Sequence, residues 1–214
     1  MRAIILPALA AAGATLAGCV TTAAPPPSAL LEYARSDCSA APDLSTAVGL
    51  TPEKEKQVHT VTAPIGAKTA CMATGTGASP YAVFALPQDI GDKTLVAGAQ
   101  LEPLRILSPK VSLLDASGQV TRTFEPADYL YRGTVFSVQF KPREGEAYVL
   151  VAADPDRVGK RYDSITTGIA STVIYTGYGA ANWNSGAEWR SSRTFSWEGL
   201  AQVSVYDEDT KEGR

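Results

Sequence analysis

The stretch "KVSLLDASGQVTRTF", residues 110–124, alternates apolar and polar side chains on both sides of Asp115-Ala116-Ser117-Gly118. A period of two belongs to an extended strand, whose successive side chains point to opposite faces. Gly118 supplies the positive φ that a tight connection between two such runs needs, so the stretch predicts a hairpin. Similar short runs recur. They are "QVHTVTA" from Gln57, "PYAVFALP" from Pro80, and "DKTLVAGAQLEPLRI" from Asp92 with a bend at Gly98 or Pro103. "GTVFSVQF" from Gly133, "GEAYVLVAAD" from Gly145 and "LAQVSVYD" from Leu200 continue the series. Seven or eight short strands separated by turn residues, with no long 3.6-period segment to cover a parallel sheet, predict a mainly β chain built as a single antiparallel β-sandwich domain. Ahead of it, "SALLEYAR" from Ser28 predicts a short N-terminal helix capped by Ser28 and limited by Pro42.

Residues 1–18 read as an export signal: Arg2, then an almost wholly apolar run from Ala3 to Leu16 that is too short to span a bilayer. Leu16-Ala17-Gly18-Cys19 resembles a bacterial lipobox, which implies cleavage before Cys19 and acylation of Cys19. Two or more acyl chains hold a protein stably on a membrane. Val20, rather than Asp, follows the cysteine, which by resemblance to the sorting rule points to the outer membrane. Residues 19–28 then form a lipidated tether stiffened by Pro25, Pro26 and Pro27. The domain runs from 29 to 206, and residues 207–214 are a charged tail.

Cleavage would remove Arg2 and no acid, taking the net charge from −3 to −4. Without a basic stripe, nucleic acid is not an expected partner. With Cys19 lipidated, Cys38 and Cys71 are an even pair in an oxidising envelope, which predicts a disulfide. It would close a loop of about 34 residues and contribute about 3–4 kcal/mol on chain-entropy grounds.

Catalysis has little to work with. His59 is the only histidine, in an alternating strand without a nucleophile motif, and a zinc site would need cysteines already assigned. Asp154 and Asp156, Asp89 and Asp92, and the acids from Asp207 fit turns and solvated loops better than an EF-hand. No phosphate-cradling glycine motif occurs. The expectation is therefore a protein without catalytic residues, metal or cofactor. Residues 155–196 break the strand rhythm. "STVIYTG" can be a strand, but the remainder is rich in Gly, Ser and Asn and carries Tyr175, Tyr178, Trp183 and Trp189, candidates for a ligand or partner surface. An irregular loop of that length inside a domain is uncommon and often functional. Aromatics anchor protein interfaces and stack on sugar rings, and they also pack the ends of sandwiches.

"SPYAVFALP", "PKVSLLDASGQVTRTFEPADYLYRGTVFSVQF" and "AYVLVAADPDRVGKRYD" together resemble the maltose-operon periplasmic protein family, MalM-like, over residues 81 to about 163. The unit is also similar to the bacterial pre-peptidase C-terminal sandwich. The resemblance implies a periplasmic, non-catalytic accessory or binding module linked to maltodextrin or other carbohydrate transport, with no catalytic residues to carry over. A structural adaptor in an envelope assembly is the alternative, and a carbohydrate-active hydrolase a further one. The expected partners are the membrane, through the lipid, and a carbohydrate or an envelope protein. Mass mapping without reduction is expected to recover Cys38 and Cys71 in one linked peptide pair; two free thiols would overturn the pairing.

Overall fold

The computed structural model describes residues 24–54, 56–75 and 77–207; the side chains of residues 166, 176, 183, 187 and 189 fall outside that description, as do residues 1–18, expected as an export signal, and Cys19. Strands dominate. In chain order they are β1 (Val48–Gly49), β2 (Val58–Ile65), β3 (Cys71–Thr74), β4 (Gly77–Ala85), β5 (Thr94–Gln100), β6 (Arg105–Leu107) and β7 (Pro109–Leu114). After these come β8 (Val120–Thr123), β9 (Leu130–Arg132), β10 (Val135–Phe140), β11 (Tyr148–Ala153), β12 (Arg161–Thr176), β13 (Gly179–Ser196) and β14 (Gly199–Tyr206).

Pairing is mostly antiparallel. One sheet runs β1-β4-β11-β7-β8, with β3 also paired to β4; a second runs β2-β14-β5-β10-β9; a third runs β12-β13-β6. The expected hairpin is β7–β8, where Asp115 Oδ1 accepts from the amides of Ser117 and Gln119 and Gly118 takes φ 85°. The run from Asp92 is two strands rather than one bent strand. Gly98 lies inside β5, and the break falls at residues 101–104.

The two larger sheets share one core. Phe84, Val111, Leu113, Val149 and Val151 from the first meet Leu95, Ala97, Val138, Phe140 and Val203 from the second. Leu114, Leu150 and Ala152 have the opposite parity and are also buried, in a smaller cluster with Tyr81 and Val83 that Leu44, Ala47 and Met72 pack against. Burial on both faces explains why "YVLVAA" is continuously apolar instead of alternating.

Residues 28–35 carry no helix, contrary to expectation; the helical pieces among the described residues are 3-10 turns at Leu44–Thr46 and Pro126–Asp128. The polar backbone groups that a helix would use are committed elsewhere. Leu30 N donates to Ser196 Oγ at 2.8 Å, and the Leu30 carbonyl accepts from Trp197 N at 3.0 Å. Tyr33 stacks on Trp197 with ring centroids 5.4 Å apart, and Arg35 donates to the Thr69 carbonyl. The Cys38–Cys71 disulfide then fixes this segment to β3, where Ser39 bridges Met72 in parallel. No helix of the described residues is long and apolar enough to cross a membrane.

Gly98 sits where the sheet leaves no room for a side chain. A Cβ there would lie 2.1 Å from the Phe136 carbonyl oxygen and 2.6 Å from Ser137 Cα, both backbone atoms of the neighbouring β10. Gly98→Ala is expected to lower stability by about 3 kcal/mol or more. A shift of the urea midpoint to lower concentration checks this, and an unchanged midpoint would contradict it.

Candidate functional site

The segment expected to be an irregular loop is an ordered two-stranded ribbon. β12 and β13 pair without a register break from Arg161↔Thr194 to Thr176↔Gly179, leaving only Gly177 and Tyr178 as the connection. Sixteen residues of β12 at about 3.3 Å each give an arm about 50 Å long.

The root of the arm is built into the body. β13 ends by pairing in parallel with β6, Thr194 to Ser196 against Arg105 to Leu107. Phe195 is buried, and its amide and carbonyl bond to Lys160 and Gly159 at the entry of β12. An aromatic socket receives the arm. Tyr162 stacks on Tyr131 at 3.7 Å, Tyr131 and Tyr129 contact Phe136 at 4.9 and 5.3 Å, and Phe136 contacts Phe195 at 5.4 Å. Arg193 Nε donates to the Glu102 carbonyl at 2.7 Å, while Arg105 bridges Glu102 and Glu198, each at 3.1 Å. The turn at 101–104 is thus clamped beneath the arm.

Beyond the root the arm stands free of the body. Ile165, Ile169, Val173, Ile174 and Tyr175 are all exposed, Tyr175 to 83 %, and Tyr178 at the tip is fully exposed. Among the described residues no strand pairs with the outer edge of β12. The four aromatic candidates share the arm but not one set of register positions. Tyr175 lies opposite Ala180, whereas Trp183 and Trp189 occupy positions opposite Thr172 and Thr166, of the other parity. Tyr178 is in the connection. Trp197, by contrast, packs at the root against Tyr33 and the core.

The remaining chemical candidates have structural partners. Asp154 is buried and accepts from Arg157 Nε at 3.1 Å and from Asp156 N, which makes it a turn residue. Lys93 is buried within 3.0 Å of Asp89 and 3.1 Å of Asp207. Burial opposes its charge, yet the hydrogen bonds to those carboxylates outweigh that and hold its pKa above the ordinary lysine value. Asp37, Cys38 and Cys71 lie close enough for a metal, but both sulfurs are spent in the disulfide. His59 is half-buried in β2 beside Val205.

A cleft of about 650 Å³ lies on the outer face of the first sheet. Met72, Leu114, Leu150 and Ala152 line it together with Lys110 and the Ser112 and Thr123 hydroxyls, which bond each other at 3.0 Å.

No family model, curated protein or solved structure matches the chain.

The arm is hidden from sequence reasoning by its Gly, Ser and Asn residues, which favour loops. The available signal was "ITTGIASTVIY", rich in β-branched residues, followed by the two-residue break Gly177-Tyr178. Tyr129 in the socket sets a further expectation. It accepts from the Val111 amide at 2.7 Å beneath the Arg157 guanidinium, and burial pushes its pKa up to about 12. Between pH 10 and 12 the unfolded chain ionises this phenol while the folded chain keeps its proton, so stability falls as pH rises through that window. Tyr129→Phe is expected to make that decline shallower in denaturation curves taken at stepped pH. It should also cost about 1–3 kcal/mol at neutral pH through the orphaned Val111 amide.

Proposed function

We propose that this chain is a non-catalytic lipoprotein of the bacterial envelope, held on the membrane through Cys19, whose β-ribbon is a protein-contact arm; it acts as an adaptor. The accompanying fold reading is one β-sandwich over residues 29–206, formed by the two larger sheets around their common core. The observation that carries the proposal is the arm itself. It has an anchored root and an exposed outer part that buries almost nothing in the body. A two-stranded ribbon is at best marginally stable in water, so one that extends this far calls for a covering surface. Open strand edges are ready templates for pairing, and proteins that do not use them blunt them with Lys, Pro or a bulge. From Ser164 to Thr176, β12 contains no charged residue and no proline, and its register is unbroken.

A protein surface suits the arm better than a bilayer. A membrane-spanning hairpin turns the apolar residues of both strands to one face. Here Ile165, Ile169 and Val173 are cross-strand neighbours of Arg190, Gly186 and Asn182. The point of attachment fits as well. The chain leading from the proposed anchor is bonded to the body at Leu30, against Ser196 at the end of β13, so it enters at the root of the arm.

The outer-face cleft favours a second reading, a small amphipathic ligand, for which a carbohydrate is the candidate suggested by the MalM-like resemblance. In that case the ligand occupies the cleft beside Lys110 and Ser112, away from the aromatic arm.

The adaptor reading is tested in cells with a photo-crosslinking side chain at Val173 or Tyr178 on the arm, and at Val120 on β8 as control. Both arm positions should capture protein while Val120 captures none. Capture equal at all three positions, or at none, would refute a contact arm.

A further inference from the structure

We infer that the arm pairs edge to edge with the arm of a second copy of this chain, β12 against β12, antiparallel about a two-fold axis at Ile169. The inference rests on the contact-arm reading and names the partner.

Edge geometry comes first. Only Gly177 and Tyr178 separate the paired Thr176 and Gly179, so that pair is hydrogen-bonded. Hydrogen-bonded and non-hydrogen-bonded pairs alternate along an antiparallel ladder. Counting back along the unbroken register, the even-numbered residues of β12 bond to β13. The odd-numbered ones, including Ile165, Ile169 and Val173, turn their N–H and C=O groups to the open edge. A second β12 can therefore dock only with odd residues opposite odd residues.

Sequence then selects the register. "ITTGIASTV", residues 165–173, reads nearly the same in both directions from Ile169. Gly168 mirrors Ala170, Thr167 mirrors Ser171, Thr166 mirrors Thr172, and Ile165 mirrors Val173. Antiparallel pairing centred on Ile169 sets each residue against its match in the second copy. Three β-branched pairs then line one face: Ile165 with Val173, Ile169 with Ile169, and Val173 with Ile165. Such pairs are the unit of sheet stabilisation. A shift of two residues either way loses these aliphatic pairs, setting Ile165 against Ser171 and Ile169 against Thr167, or Ile169 against Ser171 and Val173 against Thr167. The matching register also uses the strand's whole length. Tyr162 falls opposite Thr176 of the second copy, so each tip ends where the other arm enters its body.

Charge and symmetry agree. No charged residue lies between Ser164 and Thr176, so no like charges meet across the axis. An isologous contact of this kind closes on itself and stops at two copies. The product is a four-stranded sheet, β13-β12-β12-β13, in which the outer ribbon no longer stands alone.

The test uses the full chain in detergent. Ile169→Cys should give a disulfide-linked dimer under mild oxidation, with the wild-type chain setting any background from Cys19. Thr167→Cys alone should not cross-link, because in this register it faces Ser171; Thr167→Cys combined with Ser171→Cys should. Sedimentation equilibrium should show twice the chain mass for the wild type and one chain mass for Ile169→Lys, which sets two ammonium groups against each other. The melting transition of the Ile169→Lys body should stay unchanged, showing that the variant folds. A monomeric wild type overturns the inference. So does a dimer that survives Ile169→Lys, or cross-linking by Thr167→Cys as efficient as by Ile169→Cys. A monomer whose Val173 nonetheless captures a different protein in cells would end the self-pairing inference and leave the contact arm standing. Failure of both would end both.

Discussion

Ser196 holds the molecule's parts together. It is fully buried at the end of β13, and its hydroxyl accepts from the amides of Leu30 and Glu198. Its carbonyl accepts from Ser108 N at 2.9 Å, tying the third sheet to the start of β7. A single residue thus joins the incoming chain, the root of the arm and the core. Its neighbour Phe195 reaches into that core, and Gly199 just beyond approaches the backbone of Leu107 so closely that a Cβ would lie 2.8 Å from its nitrogen. The arm can stand free because its last three residues are not free at all.

Around that junction the body divides its labour. The first sheet is buried on both faces at its centre. The second sheet turns small residues, Ala97, Ala99 and Ala201, into the common core, and Gly98 leaves room for the backbone of β10. The disulfide and the Lys93 carboxylate cluster secure the periphery, one fastening the N-terminal segment to β3, the other fastening the 89–93 turn to Asp207 at the end of β14. An element with little burial of its own, such as the ribbon, depends on a scaffold of this kind for a fixed direction.

Much of the fold was legible in the residues. Alternation and turn chemistry located β2, β4, β7, β8, β10, β11 and β14, and cysteine arithmetic found the partners Cys38 and Cys71. The short strands β1, β3 and β9 carry too few residues to show such a pattern, and the N-terminal segment and the ribbon differ from expectation. The helix expected from Ser28 is absent because capping and propensity say nothing of tertiary partners, and Leu30 finds better ones in Ser196 and Trp197. The ribbon was missed for the opposite reason. With no core to face, it shows none of the one-sided patterning by which buried strands are recognised, and its Asn182, Asn184 and Gly186 imitate a loop. Tyr175, Tyr178, Trp183 and Trp189 share one sequence segment, but composition alone does not divide them between the two register parities and a tip.

The unbroken register of the ribbon has a consequence for how such an arm can change. Adding or removing one residue in each strand would move the tip by about 3.3 Å and exchange its two faces, because side chains alternate with period two. Steps of two residues per strand keep the faces and change the reach by about 7 Å. The arm's length is therefore quantised, like the rungs of a ladder, and variants that preserve its surface can differ only by whole rungs.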